Sequence, residues 1–172
     1  MSVLLFLSMR VLHVVLAAAW FGAVAFLTLY LGPALAQMGP AGAGVITRLV
    51  ERGLAKYMAS IGGLTVVTGI YLFWRFTSGF DPALSGSRAG ICFSIGALTG
   101  VIALILGGSM IGGSAKKLAA IAPRMASLPE GAERTALLSS AQQLGQKMAT
   151  FGQIVLLLLL ISLATMALGH YI

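Results

Sequence analysis

The sequence predicts an all-α protein: an antiparallel four-helix transmembrane bundle with short cytoplasmic amphipathic helical extensions. Three observations carry this. Of 172 residues, 59% are hydrophobic and 9% charged, with a mean hydropathy of +1.00; soluble domains are about one-quarter charged. Four segments hold the roughly 20 apolar residues that a crossing needs. The four acidic residues, Glu51, Asp81, Glu130 and Glu133, all lie between those segments.

Span one is Val3–Leu31, interrupted by Arg10 and His13 and closed by Gly32-Pro33. The N-terminus, MSVLLFLSMR, lacks a basic n-region and a cleavage site, so it reads as part of this span. Loop one follows. Its Arg48, Arg52 and Lys56 are spaced four apart on one helical face, with Val45, Leu49 and Leu54 as apolar contacts. A helix is expected from about Gly42, leading into span two at Tyr57–Phe76. Asp81-Pro82 has the form of an N-cap followed by proline at the first helical position, and should start a short helix before span three. Span three is Gly90–Gly113. In loop three, Ser127-Leu-Pro-Glu130 has capping-box spacing. Leu137, Ala141, Leu144 and Met148 then follow helical spacing into span four, Met148–Ile172. No proline falls inside the four spans, so each is expected to be continuous, unlike the broken helices of transporters. The chain reads as one transmembrane domain, residues 1–172, without an internal repeat.

Orientation follows from lysine and arginine. Arg48, Arg52, Lys56, Lys116, Lys117, Arg124, Arg134 and Lys147 make eight on one side; Arg10, Arg75 and Arg88 make three on the other. Both termini are therefore expected outside a bacterial inner membrane. The net charge of +7 points to anionic lipid headgroups at the cytoplasmic face and not to nucleic acid, because the cations cluster beside the spans.

His13 is the main pointer to chemistry. Intramembrane histidine is rare, and neutral imidazole is a common ligand for haem iron and other metals. Ala17, Trp20, Val24 and Leu27 lie on roughly its face. Ala17, Ala18 and Ala19 would leave room there for a flat ligand. The competing reading is a histidine hydrogen-bonded to a neighbouring helix. His170, at the end of span four, is the natural second ligand if the membrane part of span one begins near Val11. If the span begins at Val3, His13 is roughly 15 Å in, at 1.5 Å per residue, and the match fails; His170 is then an interfacial histidine beside Tyr171. Arg10, one turn from His13, either snorkels or pairs with a haem propionate. Trp20 packs against whatever His13 binds.

Other residues carry weaker signals. Cys92 is the single cysteine, which excludes an intramolecular disulfide and a cysteine-based zinc or iron–sulfur site. It reads as a small buried hydrophobe before it reads as a thiolate ligand. In span three, Gly96/Gly100 and Gly108/Gly112 form GxxxG pairs, and span two adds Gly62, Gly63 and Gly69. Such glycines either let helices approach or make space for a porphyrin or quinone. Trp74 and Tyr71 belong to an aromatic belt. No span contains a carboxylate, which argues against a proton relay or cation-coupled pathway. There is no HExxH, Ser-His-Asp set or phosphate-binding glycine loop.

The run Leu12-His13-Val14-Val15-Leu16-Ala17-Ala18-Ala19-Trp20-Phe21-Gly22 resembles the first span of the CopD-like and HemJ-like membrane proteins. Gly32-Pro33-Ala34, Arg48-Leu-Val-Glu51-Arg52, Thr68-Gly69-Ile70-Tyr71-Leu72, the basic third loop and Met166-Ala-Leu-Gly-His-Tyr171 fit the same families. The resemblance implies haem binding by His13. The HemJ-like proteins also use a lysine near the start of the second span. Lys56 is the nearest match, but it lies at the end opposite His13, a departure that puts protoporphyrinogen oxidase activity in doubt. The CopD-like proteins imply copper import, yet no methionine- or histidine-rich cluster stands at either mouth.

The leading expectation is therefore an integral membrane b-type haem protein, with haem b on His13, in electron transfer or haem-linked redox chemistry with a membrane redox partner. A cofactor-free structural or accessory subunit, or a homo-oligomer, is the second. Copper handling through His13, Met9 and His170 is the third.

Overall fold

The structure, a computed structural model, describes residues 3–172. Among them there is no strand. Four helices are long and apolar enough to cross a membrane: α1 Val3–Gln37, α3 Leu54–Phe76, α5 Arg88–Ser127 and α6 Ala132–Leu168. Two shorter helices, α2 Pro40–Glu51 and α4 Pro82–Ser85, occupy the connections. The chain is thus a multi-pass membrane protein by helix length and composition.

Long helices pack as neighbours in the cyclic order α1, α3, α5, α6 and back to α1. Specific contacts fix their register. Gly62 and Gly69 of α3 meet Trp20 and His13 of α1, and Gly152 of α6 meets Thr28 of α1. Gly96 of α5 meets Thr165 and Met166 of α6. At the centre are Trp20, Val24, Ile61, Ala103, Val155 and Leu159.

Three of these helices overrun a bilayer. α1, α5 and α6 have 35, 40 and 37 residues, against about 20 for the roughly 30 Å hydrocarbon core. Span one does not close at Gly32-Pro33. A π turn, Leu27–Leu31, precedes the proline, the Gly32 N–H bonds back to the Leu27 carbonyl, and the helix resumes to Gln37. Proline lacks an N–H and crowds the carbonyl four residues back; the π turn reshapes the backbone immediately before it. Span three likewise continues past Gly113 through a second π turn, Gly107–Gly112, and keeps helical form through Pro123.

These overruns build a second apolar core. Ala43 of α2 packs with Leu118, Ala122 and Met125 of α5, and Ile46, Leu137, Ala141 and Leu144 join them. Two expectations about this end change. The loop-one helix does not run into span two, because Gly53 takes a left-handed φ of 86° and separates Glu51 from Leu54. It buries Gly42 and Ala43, while Val45 and Leu49 stay only partly covered. The capping box does not form. Ser127 ends α5, its hydroxyl donating to the Arg124 carbonyl at 3.1 Å, and α6 starts at Ala132 after Gly131. The Asp81 cap does form: its Oδ1 accepts from the N–H groups of Ala83 (2.9 Å) and Leu84 (3.1 Å).

Gly42 has a role in the hairpin between α1 and α2. A Cβ there would strike the Leu35 carbonyl. Backbone cannot swing aside as a side chain does, so Gly42→Ala should cost about 1–3 kcal/mol or more. A thermal melt in mild detergent checks this. A Tm matching wild type would show that the two helices do not meet as closely as described.

Candidate functional site around His13

His13 sits ten residues into α1 and its ring contacts α3. The Nδ1–H donates to the Thr65 carbonyl at 2.9 Å and to Thr68 Oγ1 at 3.1 Å. A carbonyl oxygen only accepts, so in the neutral ring Nδ1 carries the hydrogen and Nε2 the lone pair. The threonines are set for this. The Thr65 hydroxyl donates to Ile61 O at 2.7 Å, and the Thr68 hydroxyl to Leu64 O at 2.7 Å, so the Thr68 oxygen is free to accept from the histidine. Both threonines are buried.

The space around the ring is narrow. A Cβ on Gly69 would lie 2.9 Å from His13 Cε1, and a Cβ on Gly62 would lie 3.0 Å from Trp20 Cε2. His13 and Trp20 are seven residues apart on α1; Gly69 and Gly62 are seven apart on α3. Two rings on one helix thus fill two glycine holes on the next. Trp20 and Val24 are 5% and 6% exposed. The α3 backbone at Gly62 and Gly69 closes against the Trp20 and His13 rings, while Ala18 and Ala19 are exposed. Trp20 packs against α3 and the central core.

His170 has a different setting. It is exposed, just beyond α6, and its Nε2 accepts from Arg10 Nη2 at 3.2 Å. The Phe93 ring of α5 meets the His170 ring edge-on with centroids 5.4 Å apart, and Phe76 of α3 meets Phe93 at 5.0 Å. Arg10, Phe76, Phe93 and His170 therefore tie all four long helices together at the end bearing both termini. The structure brings Arg10 to His170, and His13 to Thr65 and Thr68. In α1 the two histidine partnerships lie one turn apart.

Cys92 is partly exposed and unbonded. Among the described residues there is no group of three or more His, Cys, Asp or Glu able to hold a metal. Surface hollows of about 360 Å³, lined by Trp74, Arg75, Ser78 and Gly79, and about 250 Å³, between α2 and α5, do not include His13. The span-three glycines divide. Gly96 and Gly100 face α6, with Ser162 Oγ donating to the Gly96 carbonyl at 2.8 Å. Gly107, Gly108 and Gly113 face open space.

Sequence reasoning missed Thr65, Thr68, Phe76 and Phe93. The first two carried a signal: two hydroxyls three residues apart, just before Gly69, in the apolar middle of the span. Compared with known proteins, the chain matches no family model, no curated protein and no solved structure.

Proposed function

We propose that this chain is a cofactor-free structural or accessory subunit, an antiparallel four-helix transmembrane bundle clasped internally by His13. The observation that carries this reading is the pairing of His13 and Trp20 with the Gly69 and Gly62 holes, closed by the histidine's bonds to Thr65 and Thr68. The antiparallel arrangement is supported by contacts such as Arg10 with His170 and Thr28 with Gly152, where numbers rise along one helix as they fall along the other. The eight-to-three bias of basic residues supports a bacterial inner membrane with both termini outside and the second core in the cytoplasm. Such a subunit works by joining a partner or a second copy, and it should co-purify with one.

A b-type haem protein is the second reading, and one observation favours it. With Nδ1 anchored, Nε2 presents its lone pair, which is how a histidine is oriented for a metal. The donor chemistry fits; against it, α3 leaves no room for a porphyrin on the side where Gly69 and Gly62 meet His13 and Trp20. Copper handling is weaker still. The Arg10 guanidinium holds His170 Nε2 and sets a positive charge beside it.

A visible spectrum separates these readings. Protein purified from cells supplied with haem should show no Soret band, and His13→Ala should leave the spectrum unchanged. A stoichiometric Soret band that His13→Ala abolishes would overturn the cofactor-free reading.

A further inference from the structure

We propose that exposed cations at the basic end form a collar, centred on Lys116, Lys117 and Lys147, that binds anionic phospholipid headgroups. The inference does not depend on what His13 does.

The cations sort by position. Arg48 and Arg52 lie at the end of α2, Lys56 in the first turn of α3, Lys116 and Lys117 early in the α5 overrun, and Lys147 on α6. All six are exposed, and none has an ion pair among the described residues. The other two cations of this end are paired. Arg124 bonds Glu133 at 2.6 Å and Arg134 lies 3.7 Å from Glu130, both near the turn between α5 and α6, farthest from the spans. The carboxylates that could neutralise the collar are thus held at the far tip. The remaining carboxylate of this end, Glu51, lies with Arg48 beside Ala122 and Pro123.

Register places the three lysines of α5 and α6 at one level, while Arg48 lies beside Ala122, Pro123 and Ala126, farther from the spans. Leu118 of α5 and Leu144 of α6 share the second core, so Lys116 and Lys117 come beside Lys147 at its membrane-side edge. The same level lies close to the π turn Gly107–Gly112, which touches α6, and to Gly152, which meets Thr28 inside the π turn of α1. Farther along the spans the exposed surface becomes apolar, with Tyr57, Ile105 and Ile154 exposed.

This juxtaposition selects the occupant. A phospholipid presents an anionic headgroup and acyl chains together, and meets both the collar and the apolar surface below it. An acidic protein or a free phosphate meets only the collar. Basic residues at a membrane surface attract anionic lipid by roughly fivefold each, and long lysine stems snorkel to reach the headgroups.

The test uses the whole chain in mild neutral detergent, titrated with short-chain phosphatidylglycerol, phosphatidylcholine or inorganic phosphate, and read by thermal shift. Phosphatidylglycerol should raise the Tm; phosphatidylcholine and phosphate should not. The variant K116Q/K117Q/K147Q should weaken the apparent affinity for phosphatidylglycerol by on the order of a hundredfold, from three losses of fivefold each. Restoring charge with K116R/K117R/K147R should recover it, and the tip variant R124Q/R134Q should bind as wild type does. Equal shifts from phosphate and phosphatidylglycerol would overturn the lipid assignment. So would equal losses in the collar and tip variants, or binding that survives removal of the three lysines. A misfolded collar variant is exposed by its basal Tm, and the arginine variant then decides.

Discussion

Trp20→Ala is expected to destabilise the bundle by about 3 kcal/mol, the lower end of the range for truncating a buried tryptophan. The lower end applies because unfolded helices remain in detergent or lipid, so little transfer free energy is lost when an apolar group leaves the core. What is lost is packing. Trp20 is 5% exposed and stands with Val24, Ile61, Ala103, Val155 and Leu159. Its removal leaves an indole-sized void beside Gly62, and rigid helix backbones collapse into it only in part. Denaturation by SDS titration in mixed micelles measures the change. A loss below about 1 kcal/mol would show that α1 and α3 do not interlock as described.

The second large effect tests the histidine directly. Gly69→Ala puts a methyl group 2.9 Å from His13 Cε1. The imidazole is held by two hydrogen bonds and cannot rotate away without breaking them. The expected cost is about 1–3 kcal/mol from overpacking. His13→Ala alone removes the interhelical bonds, each worth on the order of 1 kcal/mol in a bilayer. Combined, the changes should be less harmful than their sum, because the methyl then enters the space the ring vacates. A coupling of about 1 kcal/mol or more in that double-mutant cycle supports the knob-in-hole seam. Strict additivity would mean that the two residues do not touch.

Much of the frame was legible because it depends on local composition. Four apolar stretches became four long helices, since a run of some 20 apolar residues must satisfy its own backbone hydrogen bonds in lipid. The Asp81 cap was legible for a similar reason: the side chain and the N–H groups that it accepts from are two and three residues apart. The helix ends were less legible. Gly32-Pro33 reads as a stop, but a π turn precedes the proline and the helix resumes to Gln37; span three, expected to end at Gly113, runs on to Ser127.

The site was legible only as a residue, not as an arrangement. His13 stood out by type, and hydrogen bonding to a neighbouring helix was one of its two readings. Its partners lie 52 and 55 residues away. Span two offers Gly62, Gly63 and Gly69 as holes for a ring, and sequence spacing does not rank them. Small residues permit close approach at any of several registers, and helix-to-helix packing chooses one.

The sequence by itself determined a membrane protein with four apolar stretches, carboxylates between them, and one histidine within the first. These are properties of single segments, set by the cost of burying charge and unpaired backbone in lipid. Only the tertiary structure decided that Gly69 receives His13, that Arg10 holds His170, and that three helices overrun the spans to build a second core. Those outcomes depend on register between distant segments, which steric fit sets and local composition does not encode.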